Sequence, residues 1–173
     1  MIDVDRVSAI DFHTHVEVGL DGHDPMPPEL RAAAERYFRG NVDKPTATDV
    51  ADYYRERGMA CVVFTVDYET RSGRPPVANE EVAEVAAANP DVMIPFASVD
   101  PHRPDAVERA RRLIDEHGVR GFKFHPNIQE FFPNDREVYP LYEVIEAAKL
   151  PALFHTGHSG IGSGVPGGGG LRL

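Results

Sequence analysis

The chain has a single cysteine, Cys61, in 173 residues. One cysteine closes no internal disulfide, so oxidation does not hold this fold together. Inside the run CVVF, Cys61 is expected as a small buried hydrophobe in a reducing compartment, and the sequence reads as cytoplasmic. Basic residues are also scarce: 18 Lys and Arg stand against 28 Asp and Glu, a formal charge of −10. Nucleic acid and anionic membrane both require clustered Lys and Arg, so neither is expected as a partner. An anionic small molecule stays open, because it responds to the local field of a site. No apolar run approaches the length of a bilayer span. The opening MIDVDRV lacks the basic-then-apolar layout of a signal peptide. No GxGxxG follows the first strand-like run and no GK[ST] loop occurs, which removes the usual evidence for dinucleotide and nucleotide sites.

What is present is an ordinary globular composition, 42% apolar and 27% charged, long enough for one domain with a real core. Short apolar runs predict strands near Val7–His15, Ala60–Asp67, Val92–Asp100, Gly121–Pro126 and Pro151–Gly157. Continuous apolar runs of this length are how parallel strands look when both faces are covered. Helical patterns lie between them. PPELRAAAERYFRG reads as an extra helix inserted after the first strand, and TATDVADYYRERG as a helix ending at Gly58. Asn79 is expected to cap a helix whose first turn holds Glu80 and Glu81. Two more helices are expected from Pro104, with a stripe through Ala106, Val107, Ala110, Leu113 and Ile114, and from Pro140, burying Leu141, Val144, Ile145 and Ala148. Such β-α alternation means a parallel sheet with right-handed crossovers, either an open doubly wound sheet or a (β/α)₈ barrel.

Polar residues gather at the C-terminal ends of the predicted strands: His13 and His15 on the first, Asp67 on the second, Asp100 on the third, Lys123 and His125 on the fourth, His155 on the fifth. Active sites of parallel α/β folds are built at those ends. The stretch DFHTHVE, residues 11–17, places two histidines two residues apart. Side chains at i and i+2 on a strand share a face, so both imidazoles can meet one ion. The alternative is a pair of surface histidines on a loop.

With DFHTH at the first strand, GFKFHP at the fourth, LFHTG at the fifth and FASVDPHRPDAVERARRLIDEHGVRGFKFHP in between, the chain resembles the amidohydrolase superfamily. The likeness is to its amidohydrolase-related branch of metal-dependent hydrolases, aromatic-acid decarboxylases and hydratases. The resemblance implies a (β/α)₈ TIM-type barrel and one divalent ion, Zn²⁺ first and Mn²⁺ as the alternative, held by His13, His15 and His155. It implies catalytic roles for His125 and His158, with packing in the barrel mouth and an ordinary loop position as their respective alternatives. Lys123 is expected to bind a substrate carboxylate; the carbamylated lysine of two-metal relatives is the rival. Phe131 and Phe132 are expected to line a pocket for a planar substrate or else to pack their loop. Glu17 either orients a ligand imidazole or sits at the surface. Asp67 and Asp100 are expected to be structural, and His23, His102 and His117 to be solvated.

The implied activity is hydrolysis of a small carboxylate-bearing or cyclic compound through a metal-activated water. Non-oxidative decarboxylation of an aromatic or muconate-type acid is the rival, and a non-catalytic fragment the third reading. The partner is then a small-molecule carboxylic acid. A complete barrel needs about 250 residues, so residues 1–173 are expected to form one domain that is the N-terminal portion of a longer enzyme. The Gly-rich stretch 159–173 is expected as a flexible tail rather than a loop donating N–H groups to a carboxylate. Five strands do not close such a barrel, so the chain is expected to form a homo-oligomer.

Overall fold

A computed structural model describes residues 2–39 and 44–157. Five short strands, β1 (Ile10–His15), β2 (Ala60–Phe64), β3 (Met93–Pro95), β4 (Phe122–Phe124) and β5 (Ala152–Phe154), lie side by side in chain order. β1, β2 and β3 form one parallel sheet and β4 and β5 a second, with Cys61 opposite Met93 and Phe124 opposite Phe154. The two sheets join through a parallel bridge between Ala97 and Phe122. There Ala97 N donates to Gly121 O at 2.9 Å and Lys123 N to Ala97 O at 2.7 Å. β3 is shorter than the run Val92–Asp100 predicts, because Pro95 has no N–H to continue the ladder.

The helices are α1 (Pro28–Phe38), α2 (Ala47–Glu56), α3 (Glu69–Ser72), α4 (Asn79–Ala88), α5 (Ala106–Asp115), α6 (Pro126–Gln129) and α7 (Tyr139–Ala147). α3 and α6, one turn each, are not visible in the sequence pattern. Thr46 caps α2 in a reciprocal box with Asp49. Asn79 does not cap α4; Ala78 holds that position without a side-chain bond. The Asn79 carboxamide is occupied elsewhere: Nδ2 donates to Ser98 O at 2.8 Å and Oδ1 accepts from Ser98 N at 2.7 Å. Its polar group therefore ties α4 to the segment after β3.

Packing divides each strand between two sides. On β2, Cys61 and Val63 face helices α2 and α4, packed with Val50, Tyr54 and Val82. Val62 and Phe64 face the opposite, inner side with Ile94, Phe96 and Leu153. Cys61 is fully buried, as expected, and burial pushes its thiol up to about 12. On β4, Phe122 and Phe124 face α5 and α7, packed with Leu113, Leu141 and Ile145. Burying both faces is what makes these strands read as unbroken apolar runs. The inserted α1 lies across the ends of the strands, where Leu30 packs with Tyr68 and Ile128.

Candidate metal centre

β1 does not pair regularly with β2. Asp11 stands opposite Cys61 and Thr14 opposite Val63, so two residues of β1 match one of β2 between those points. This is a β-bulge, which re-aims the side chains around it. In a regular strand Asp11 would share a face with His13 and His15. Here Asp11 and Thr14 go with the helix-facing Cys61 and Val63, while His13 and His15 turn to the inner side. Both imidazoles rest on the Phe64 ring, with centroids 5.6 Å and 4.8 Å away. Their Nε2 atoms are 3.1 Å apart.

The other rim residues converge on this pair. Lys123, the inward residue of β4, is completely buried; its Nζ lies 3.5 Å from His13 Nε2 and 5.1 Å over the Phe64 ring. The His155 ring, one residue past β5, is edge-on to His13 with centroids 6.5 Å apart. It stacks on His125 at 4.0 Å, 9° from parallel. His125 begins α6: its Nδ1 accepts from Ile128 N at 3.4 Å, and its own N donates to Gln129 Oε1 at 2.8 Å. Gln129, fully buried, donates through Nε2 to Asp67 O and Val99 O. One carboxamide thus links the chain beyond β2, β3 and β4 and seats His125 among them.

Burial sets the charge state. It pulls His15 and His125 down to about 3, helped by repulsion from neighbouring cationic groups. His13 is lowered by burial first, then by Lys123 and His155. The imidazoles are thus neutral near pH 7, the form in which histidine binds a metal. Burial also pulls Lys123 down to about 8. Among the described residues no carboxylate comes within ion-pair distance of its ammonium.

The His13–His15 pair fits a divalent ion: two nitrogens each ~2.0–2.1 Å from a tetrahedral ion stand about 3.3 Å apart, against the 3.1 Å seen here. Among the described residues no three His, Cys, Asp or Glu side chains converge closely enough to hold an ion as they stand. His155 would have to move toward the pair to complete a set.

Other expected residues lie elsewhere. Phe131 does not reach the rim: it is buried in the outer core against Phe124, as the loop-packing alternative requires. Phe132 is exposed and borders an open cavity of about 580 Å³ with Pro133, Tyr139, Tyr142 and Thr156. His158 and the Gly-rich 159–173 stretch lie outside the described residues. Asp67 and Asp100 hold turns. Asp67 accepts from Glu69 N and Asp100 N, and Asp100 from Thr70 and His102 N. Glu17 meets neither imidazole: its carboxylate is 4.0 Å from Arg31 Nη1, and burial pushes it upward. His102 and His23 are engaged rather than simply solvated. His102 Nε2 bonds to Gln129 O at 2.9 Å and His23 Nε2 to Pro75 O at 2.8 Å. Gln129 is the contributor that sequence reasoning missed; it carries no motif, since it acts by reaching across the fold.

An amidohydrolase family model matches residues 10–172, and the bulged HxH strand and the rim described above fall inside that span. The chain belongs to the amidohydrolase family. Among solved structures, this amidohydrolase chain is similar to an amidohydrolase II (TM-score 0.60, 18% identity), over 89% of this chain and 52% of that one. It is similar to an uncharacterised TIM-barrel protein from Bordetella bronchiseptica (0.60, 21%, over 87% and 56%). A third likeness is to a 4-oxalomesaconate hydratase from Rhodopseudomonas palustris (0.51, 21%, over 84% and 51%). At these identities the likeness shows the fold, a (β/α)₈ barrel represented here by its first five strands. The chain spans about half the length of the solved structures it matches. No curated protein matches it. No helix among the described residues is long and apolar enough to cross a membrane.

Proposed function

We propose that the enzyme to which this chain contributes is a metal-dependent hydrolase acting on a small carboxylate-bearing or cyclic compound. His13, His15 and His155 would hold one divalent ion, Zn²⁺ or, with the same imidazole donors, Mn²⁺. The observation that carries this reading is the 3.1 Å separation of the His13 and His15 Nε2 atoms at the strand rim, both rings neutral. When bound, such an ion lowers the pKa of its water and polarises a substrate oxygen.

The chain's own residues would do the rest. Lys123 presents an ammonium without a carboxylate partner in a dry site, where it can hold a substrate carboxylate. His125, neutral and seated by Gln129, can accept or return a proton at its imidazole. Phe64 floors the site and keeps water from beneath the two imidazoles. Phe132 borders the cavity that a planar substrate could enter. His158 belongs to the same proposal but lies outside the described residues.

Loss of CO₂ from an aromatic or muconate-type acid is the second reading. Oxygen-labelled water separates the two: hydrolysis leaves the labelled oxygen in the product, whereas decarboxylation releases CO₂ and takes only a proton from water. For the metal, the purified full-length protein is expected to carry about one equivalent of divalent ion. His13→Ala combined with His15→Ala is expected to lose it, measured by elemental analysis. Full occupancy in that double variant overturns the assignment.

A further inference from the structure

The bulge in β1 is held by three side chains on the helix-facing side of the strand. The Tyr54 hydroxyl, on α2, donates to Asp11 Oδ2 at 2.6 Å and lies 2.9 Å from Thr14 Oγ1. The other oxygen of the same carboxylate, Oδ1, accepts from the backbone N of His13 at 2.8 Å. Asp11 and Thr14 are the residues on either side of the register shift, and His13 lies within it. One phenol thus grips both shoulders of the bulge, and the carboxylate it grips holds the peptide of the first histidine.

We propose that Asp11, Thr14 and Tyr54 are positioning residues that set the bite of His13 and His15 by fixing the bulge in which His13 lies. The inference rests on reading those histidines as metal ligands, but its structural half does not require a metal. A bulge leaves a residue without its ladder bond, so it has to be held from outside the ladder. Here the hold comes from the helix side, because the inner side is filled by the two imidazoles and Phe64. Without the hydroxyl of Tyr54, the Asp11 carboxylate is free to rotate and the His13 amide loses a fixed acceptor. The strand can then relax toward regular pairing, which carries Asp11 inward and spreads the imidazoles. The Tyr54 ring itself packs among Val50, Cys61 and Val63, so removing only its oxygen leaves that packing in place.

The test uses the full chain with Tyr54→Phe, Thr14→Val, Asp11→Asn and Asp11→Ala, and His13→Ala as control. Without metal, amide hydrogen exchange at His13 is expected to quicken in Tyr54→Phe while exchange in β2 and β4 stays unchanged. With Co²⁺ as the probe, affinity is expected to fall about 10- to 100-fold in Tyr54→Phe, with an altered visible ligand-field spectrum. Asp11→Asn, which keeps an acceptor oxygen for the His13 amide, should retain more affinity than Asp11→Ala. If Tyr54→Phe does not fold, Thr14→Val carries the same comparison from the other shoulder of the bulge. Unchanged His13 exchange together with unchanged Co²⁺ affinity and spectrum overturns the proposal. If the unmodified chain binds no Co²⁺ in a His13-dependent way, the metal reading fails, and His13 exchange alone then decides for or against the clamp.

Discussion

Lys123 occupies the middle of β4 with its whole side chain buried and its ammonium over the Phe64 ring. Between two phenylalanines, Phe122 and Phe124, an apolar residue would be the expected choice on packing grounds alone. A buried amine without a counter-charge destabilises the fold, and replacing a buried ionic group by an apolar one of similar size is often stabilising by 1–4 kcal/mol. Lys123→Met is therefore expected to raise the melting temperature by several degrees, corresponding to about 1–3 kcal/mol. It is also expected to raise KM for a carboxylate substrate at least tenfold, because the anion loses its cationic partner. Thermal unfolding beside steady-state kinetics checks both. A destabilised variant with normal KM would show that Lys123 is a structural group.

At the scale of elements, the junction of β3 and β4 depends on a glycine. A Cβ at Gly121 would fall 2.4–2.7 Å from the Phe96 ring, well inside van der Waals contact. Phe96 fills the inner side together with Val62 and Phe64, and it cannot retreat without vacating that layer. The Gly121 C=O and the Lys123 N–H also carry the bridge to Ala97 that unites the two described sheets. Gly121→Ala is expected to cost about 1–3 kcal/mol, the usual range for overpacking. Combining it with Phe96→Leu should recover part of that loss in denaturant unfolding, since the smaller side chain makes room. A fully additive double variant would show that the two positions do not press on each other.

For the molecule as a whole, β1 and β5 each pair on one side only among the described residues. Phe12 on β1 is 57% exposed, and Ala152 begins β5 exposed. Open, apolar strand edges are templates for further pairing. Expressed alone, the 173-residue chain is expected to sediment above monomer mass, and Phe12→Lys to lower that association by placing a charge on the edge. A monomer with a sharp unfolding transition and metal-dependent turnover would contradict the view that these edges need covering.

The sequence by itself determined the alternation of strands and helices, the buried cysteine, the inserted α1 and the rim as the place of the histidines. These are all consequences of local pattern: burial of both strand faces writes unbroken apolar runs, and strand ends are where those runs stop. It did not reveal that Asp11 parts company with His13 and His15, because a strand of period two puts all three on one face. Only the pairing with β2 introduces the extra residue. Nor did it distinguish Phe131 from Phe132, adjacent aromatics of which tertiary packing buries the first and leaves the second exposed. Asn79 has the identity of a helix cap, yet Ser98, nineteen residues on, claims its carboxamide. Gln129 and Tyr54 carry no motif at all. Their roles come from reaching residues tens of positions away, and only the tertiary structure brings those partners within hydrogen-bond distance.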